Sequence, residues 1–154
     1  MTRYELFKLL HVVGAMAWVG AGIGLLVLNR QLIRTRDYAG LLTVSRQSQA
    51  LGTRLFIPAS LLTVVFGVAL VATEPGYRFT DLWILIGFAG ILLSGLAQSA
   101  ITERSGKRFM ALATEHGTDH PGLVPAARGI TLGSAVDVGL LVVVVWAMIA
   151  KPLL

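Results

Sequence analysis

Four long apolar runs dominate the pattern of hydrophobic and polar residues along the chain. They cover residues 9–28, 55–72, 82–100 and 130–150. Each approaches the ~20 residues that a helix needs to cross a hydrocarbon core of about 30 Å. The runs are continuously apolar rather than alternating, which argues against the strands of a membrane barrel. The pattern predicts an all-α polytopic membrane four-helix bundle that occupies residues 1–154 as a single transmembrane domain.

The composition agrees with a membrane protein and excludes several other classes. Hydrophobic residues make up 55% of the 154-residue chain and charged residues only 14%, with a mean hydropathy of +0.76. Soluble domains carry about 25% charged residues, and disordered chains have the opposite bias to this one. The chain has no cysteine, which excludes disulfides, thiolate zinc sites and iron–sulfur clusters. It also has no Walker loop, dinucleotide fingerprint or catalytic triad pattern, so the sequence favours a protein that is not an enzyme.

The basic residues predict how the helices are oriented. Nine of the 13 lysines and arginines lie in residues 29–54 and 101–129, which we expect to be basic inner loops. Both termini then lie outside, in a multi-pass protein of the bacterial cytoplasmic (inner) membrane. The net charge of +5 therefore indicates topology and attraction to anionic lipids on the inner face, with no nucleic-acid partner. Apolar residues spaced among the arginines of residues 29–54 predict a helical extension or an amphipathic segment there.

A faint internal repeat relates the two halves of the chain. The tripeptide Ala-Gly-Ile occurs at 21–23 and again at 89–91, and Arg36 corresponds to Arg104 at the same offset. Such matches are what a parallel two-plus-two (2+2) repeat would produce. Because the matches are few, the sequence leaves this duplication open.

The first apolar run carries the residues that point to a cofactor. His11, Gly14, Trp18 and Gly22 follow one another at helical spacing and therefore share one face of the helix. This face offers an imidazole nitrogen, a flat aromatic ring and gaps without side chains, which together suit haem b. Alternatively, His11 hydrogen-bonds a neighbouring helix and the glycines permit close packing. No second histidine lies in any apolar run, so a haem would have a single histidine ligand or be shared across a dimer.

The fourth apolar run contains an acid, Asp137. An acid at this depth must be protonated, paired or hydrated, because an isolated charge in the membrane is costly. Judged by depth, its candidate partners are Arg54, Arg128 and the intramembrane Gln98. The functional interpretation is a proton or cation step. The structural interpretation is an ion pair or buried hydrogen bond that locks helices together, and the residues leave both open.

Two further motifs are weaker. The segment 115–120 contains two histidines and two acids, but Gly117 and Pro121 oppose a helix there, so we expect a solvated loop and no metal site. Gly20 and Gly24 form a small-residue packing motif of the kind found between membrane helices. This motif is compatible with a homodimer or a larger membrane complex.

The stretch KLLHVVGAMAWVG, from Lys8 to Gly20, resembles the opening K-x-x-H-x-x-x-x-x-x-W-x-G of a loose group of small bacterial membrane proteins. The group includes the HemJ-type protoporphyrinogen oxidases, the CopD copper-resistance membrane domain, the membrane part of a urate oxidase and a predicted integral membrane family of unknown function. The short length and four-span layout look most like the last of these. By this resemblance His11 would be an axial haem ligand, with Trp18 packed beside it. The third and fourth runs lack the later-span lysine that the HemJ-type enzymes use.

These observations lead to two expected functions from different classes. The leading one is a small haem-binding or redox-associated membrane protein that uses His11. The alternative is a small transporter, or an accessory membrane subunit, in which Asp137 handles a proton or cation. A third interpretation is a scaffold whose polar residues only hold the helices together.

Overall fold

The computed structural model describes residues 1–151, and over that range the chain forms six α-helices. Their bounds are α1 Arg3–Arg34, α2 Tyr38–Leu51, α3 Ile57–Thr73, α4 Leu82–Ala97, α5 Arg104–His116 and α6 Leu123–Ala150. Two short π-helical segments join consecutive helices without a break: Gly52–Phe56 links α2 to α3, and Gln98–Glu103 links α4 to α5. The described chain therefore forms four continuous helical rods, which are α1, α2–α3, α4–α5 and α6.

All four rods are long enough and apolar enough to cross a membrane. They contain 32, 36, 35 and 28 residues, and at a rise of 1.5 Å per residue the shortest is about 42 Å long. Only 6–22% of the residues in their apolar windows are buried inside the protein, so most of these side chains face outwards. An apolar exterior of this extent is typical of a protein surrounded by lipid. The predicted all-α fold with four membrane-length helices is confirmed.

The rods alternate in direction, which gives the bundle two different ends. The end that carries Arg3, the connection 74–81 and Lys151 is called the terminal end. The basic end is the opposite one, where the connections 35–37 and 117–122 lie among most of the arginines. At the terminal end, Lys151 Nζ donates a hydrogen bond of 2.6 Å to the Tyr77 hydroxyl, which ties the end of α6 to the connection between α3 and α4.

The helices continue well beyond the apolar runs at the basic end. Residues 29–54 and 101–129, expected as inner loops, are mostly helical apart from the short connections at 35–37 and 117–122. The helical extension expected in residues 29–54 is present, whereas the helix α5 within residues 101–129 was not expected. The reason is amphipathic spacing: apolar side chains recur among the arginines often enough to give α2 and α5 one apolar face each.

These apolar faces meet in a hydrophobic core at the basic end. Leu41 of α2, Phe109 of α5, and Leu123 and Ala127 of α6 are completely buried there, and we call this group the basic-end core. The Tyr38 ring packs beside it, with its centroid 6.3 Å from that of Phe109. Burial of a leucine or phenylalanine side chain stabilises a fold by about 1.5–3 kcal/mol. The basic-end core therefore holds α2 and α5 together in one layer against α6.

Nearer the terminal end, the rods pack mainly as two pairs, α1 with α3 and α4 with α6. Glycines allow the close approach: a Cβ on Gly14 would lie 2.9 Å from the Ala59 carbonyl oxygen of α3, and one on Gly87 would lie 2.6 Å from Met148 Cε of α6. The helix α1 also packs on α6, whereas α3 and α4 come together only near the terminal end, where Val71 of α3 lies in one buried cluster with Trp83 and Ile84 of α4. The pairs follow the two halves of the chain, but the π-helical segments fall at different places in each half. The duplication stays a prediction.

Candidate functional site: a polar cleft between α3 and α4

A polar cleft lies where α3 and α4 fail to pack, in the half of the bundle nearer the basic end. Its volume is about 640 Å³, which falls within the 300–1,000 Å³ typical of small-molecule sites. Helices α1 and α6 form its back, and the rods α2–α3 and α4–α5 form its sides. Both π-helical segments contribute lining residues. Fourteen of the 24 lining residues are polar or charged.

The cleft has a blind end that faces the terminal half of the bundle, and we call it the cleft floor. It consists of Trp18 of α1, Ser60 of α3, Ser94 of α4 and Asp137 of α6. Each rod contributes one residue to the floor, and that residue lies closer to the terminal end than any other cleft-lining residue of the same rod. Beyond the floor, Gly14 brings α1 against α3 and Gly90 brings α4 against α6, and the buried cluster of Val71, Trp83 and Ile84 joins α3 to α4. The cleft is therefore closed towards the terminal end.

Asp137 is half-buried at the cleft floor, and its partner is a hydroxyl rather than a cation. The Ser94 hydroxyl, which is buried, donates a hydrogen bond to Asp137 Oδ1. Of the partners suggested by depth, Gln98 lines the same cleft, but neither Arg54 nor Arg128 does. Among the described residues no salt bridge includes Asp137. The ion pair that could have locked the helices together is thus absent from the described chain.

The remaining charges of the cleft cancel each other. Glu103 and Lys107, one turn apart near the basic end, form an exposed ion pair with Glu103 Oε2 and Lys107 Nζ 3.6 Å apart. Asp137 is the other charged residue that lines the cleft. The lining therefore carries one acidic group without a basic partner, and that group lies at the closed end.

Three serines along the cleft have already used their hydroxyl donors. Ser48 donates to the Val44 carbonyl at 2.8 Å, Ser60 donates to Ile57 at 3.0 Å, and Ser99 donates to Leu96 at 3.2 Å. A hydroxyl has one donor and two acceptor lone pairs. These serines can therefore offer only acceptors to a molecule in the cleft.

The cleft also contains polar groups that the sequence analysis did not single out. Asn29 of α1 is 6% exposed, and its Oδ1 has no hydrogen-bond partner within residues 1–151. Thr102 Oγ1, in the second π-helical segment, is likewise buried and unpartnered within that range. Asn29 follows directly after the first apolar run, and this was the one available signal for it. The sequence alone does not show which helix packs against Asn29 or against Thr102.

The predicted cofactor face of α1 is divided between two environments. His11 Nδ1 lies 2.7 Å from the Thr63 carbonyl oxygen of α3, and since a carbonyl only accepts, Nδ1 is the donor. Gly14 packs against the same turn of α3, where a Cβ would lie 2.7 Å from Thr63 Oγ1. Trp18 and Gly22 line the cleft instead. The structure thus brings Trp18 and Gly22 together with Asp137 and Gln98, and separates His11 and Gly14 from them.

These positions do not fit a haem held by His11 within one chain. The gap expected at Gly14 is filled by Thr63 and Ala59 of α3, so no slot for a macrocycle remains beside the imidazole. His11 is not among the residues that line the cleft, which is the larger of the two cavities described here. The contacts of His11 and Gly14 are those of the alternative given above, in which a histidine hydrogen-bonds a neighbouring helix and a glycine permits close packing.

The histidines at the basic end do not form a metal site in the described chain. The His116 and His120 rings lie with their centroids 4.7 Å apart, and His120 Nδ1 accepts a hydrogen bond of 3.1 Å from the Gly122 amide. Within residues 1–151, no group of three or more histidine, aspartate or glutamate side chains is arranged to hold a metal ion.

Four outward-facing apolar rods around a polar cleft define a multi-pass integral membrane protein. The family described as predicted integral membrane protein (DUF2269) matches residues 5–152. The chain belongs to this family. No curated protein and no solved structure is significantly similar to the chain.

Proposed function

We propose that this protein is a small membrane carrier, or the membrane subunit of a larger carrier, whose cleft binds an organic cation at Asp137. The observation that carries the proposal is the acid at the blind end of a cleft whose one basic lining residue, Lys107, is paired with Glu103. A carboxylate in a membrane interior is costly unless it is paired, protonated or hydrated. A cationic ligand would supply the missing charge.

The other lining residues favour an organic ammonium ion over a metal ion. Ser48, Ser60 and Ser99 can only accept hydrogen bonds, and they therefore match the N–H donors of an ammonium group. Trp18 at the cleft floor adds an aromatic ring, and cations are attracted to the faces of such rings. Divalent metal ions, in contrast, prefer several oxygen ligands that usually include more than one carboxylate. The size of the cleft also suits a molecule of drug-like dimensions rather than a bare ion.

A carrier role follows from the asymmetry of the cleft. The half of the bundle near the basic end contains a cavity, whereas the half near the terminal end is closely packed through glycines. A carrier that exposes its binding site to one side of the membrane at a time needs a state in which one half of the bundle is open and the other is packed. The two π-helical segments interrupt the α-helical hydrogen bonding where both flanking rods line the cleft. Segments of this kind are frequently found at functional sites.

The charge preference of the cleft tests the proposal. Benzylamine, benzyl alcohol and benzoate have nearly the same shape but are cationic, neutral and anionic at pH 7. We expect the full chain, purified in detergent, to bind benzylamine at least ~10-fold more tightly than benzyl alcohol, a difference of about 1.4 kcal/mol. Benzoate should give no measurable heat. Isothermal titration calorimetry measures all three, and equal affinities for the amine and the alcohol would overturn the proposal.

We further propose that the basic end faces the cytoplasm of a bacterial cell and that both termini face outwards, as the arginine distribution suggests. Because the chain has no cysteine, a single introduced cysteine gives an unambiguous label. Gly76→Cys lies at the terminal end and Thr114→Cys at the basic end, and both positions are exposed. In intact spheroplasts, a membrane-impermeant maleimide should label Gly76→Cys, whereas Thr114→Cys should react only after permeabilisation. The reverse pattern would contradict the proposed orientation.

A further inference from the structure

A second concave surface lies at the basic end and shares no residue with the cleft. It is a shallow groove of about 390 Å³ between α1 and α6. Its lining consists of Arg30, Ile33, Arg34, Arg128, Thr131, Leu132 and Ala135. We call it the arginine groove. The residues of α1 and α6 that line the cleft are all different from these, so the groove is a separate feature of the two helices.

The arginine groove is strongly positive and holds no acid. Arg30 and Arg34 are one turn apart on α1, and therefore lie on the same side of that helix. Arg128 faces them from α6. None of the three forms a salt bridge within residues 1–151, and all three are exposed. Three unpaired guanidinium groups around one depression repel each other, and an anion placed among them would relieve that repulsion.

The chemistry of the groove changes along its length. Arg128 lies at the level where α6 leaves the basic end, and Leu132 and Ala135 follow one and two turns deeper into the apolar run. Seven residues of helix correspond to about 10 Å. Leu132 is 60% exposed, so its side chain lies on the lipid-facing surface of the rod. A positive site thus continues directly into an apolar strip that runs towards the membrane centre.

We propose that the arginine groove binds the phosphate group of an anionic phospholipid, with one acyl chain lying along Leu132 and Ala135. The guanidinium fork matches the geometry of a phosphate oxygen pair better than an ammonium does. Basic pockets between membrane helices at an interface are a known mode of binding to acidic lipid headgroups. The apolar strip distinguishes this ligand from free inorganic phosphate, which would make no use of it.

Native mass spectrometry of the detergent-purified chain can count bound lipids and rank their affinities. We expect phosphatidylglycerol to bind at least ~5-fold more tightly than phosphatidylcholine of the same acyl chains. Replacing Arg30, Arg34 and Arg128 together with glutamine should weaken phosphatidylglycerol binding at least ~10-fold. The matched control replaces Arg46, Arg104 and Arg108 with glutamine, which removes the same charge from exposed positions outside the groove. This control should change the affinity less than ~2-fold.

Several outcomes would overturn the proposal. Equal losses in the two triple variants would show attraction by net charge alone, and equal binding of both lipids would show no preference for the anion. Competition by inorganic phosphate at low millimolar concentration would point to a free anion as ligand. If the groove triple variant loses its helical circular dichroism, the single variants Arg30→Gln and Arg128→Gln take its place, each with an expected ~3-fold loss. Since groove and cleft share no residue, these results leave the cation proposal untouched.

Discussion

Asp137→Asn is expected to weaken benzylamine binding to the cleft by ~10- to 100-fold. Asparagine has nearly the same shape as aspartate, and its carbonyl oxygen can still accept the hydrogen bond from Ser94. The change therefore removes the charge while it keeps the local packing. Loss of one partner from a fully desolvated charge pair usually costs about 2–5 kcal/mol. Because Asp137 is only half-buried, we expect a smaller loss of about 1.4–2.8 kcal/mol, and each 1.4 kcal/mol is a factor of ten in affinity. Calorimetry on the variant and the wild type gives the ratio directly.

Two companion variants separate the charge of Asp137 from its place in the cleft. Asp137→Glu keeps the carboxylate, and we expect it to retain benzylamine binding within ~5-fold of the wild type. Ser134 lies one turn from Asp137 on α6 and lines the same cleft, and the variant Ser134→Ala removes only an uncharged hydroxyl. Its effect should stay below ~3-fold. An Asp137→Asn protein that binds benzylamine as tightly as the wild type would remove the basis of the proposed function.

Gly14→Ala is expected to destabilise the bundle by about 1–3 kcal/mol, the usual cost of forcing an extra methyl group into a packed interface. The new Cβ would lie 2.9 Å from the Ala59 carbonyl oxygen and 3.0 Å from the Thr63 amide, and both are backbone atoms of α3. A helix backbone cannot turn aside as a side chain can. Helices α1 and α3 must therefore separate, which also lengthens the hydrogen bond between His11 and Thr63.

Gly20→Ala provides the matched control, because it makes the same chemical change on the same helix. A Cβ at Gly20 would have no atom within 4 Å other than its own helix and chain neighbours. Alanine is a better helix former than glycine by up to about 1 kcal/mol, so this variant should be as stable as the wild type or more so. Unfolding in sodium dodecyl sulfate, followed by circular dichroism, compares the three proteins. Equal stability of the two variants would contradict the close packing of α1 on α3.

The membrane spans could be predicted from sequence because lipid imposes a simple rule. Each rod must present about 20 consecutive apolar residues, and continuous runs such as 130–150 follow directly from that rule. The basic-end core could not be recognised in the same way. Leu41 and Phe109 lie in short mixed segments of apolar and polar residues, outside the long apolar runs. Their burial depends on how α2 and α5 meet α6, which amphipathic spacing permits but does not specify.

The candidate site also has parts that could be predicted from sequence and parts that could not. Asp137 could be found because an acid in an apolar run is conspicuous, and Gln98 could be found for a similar reason. The cleft itself could not be found, because it exists where α3 and α4 do not pack, and the pattern of a single helix carries no record of a missing contact. The face of α1 misled for a related reason. Helical spacing correctly placed Gly14 and Trp18 on one side of α1. It does not show which neighbouring helix each residue contacts.

The basic-end core also determines when, during synthesis, the fold can be completed. Its members come from the second, third and fourth rods, and Leu123 and Ala127 belong to the last of them. A ribosome that has released only the first 116 residues has made Leu41 and Phe109 but not the helix that covers them. Until α6 is synthesised, the apolar faces of α2 and α5 at the basic end therefore remain uncovered. Exposed apolar surfaces of this kind are prone to aggregation and are bound by chaperones. Late arrival of a single helix completes the fold at both ends of the bundle, since the same helix delivers Lys151 to Tyr77.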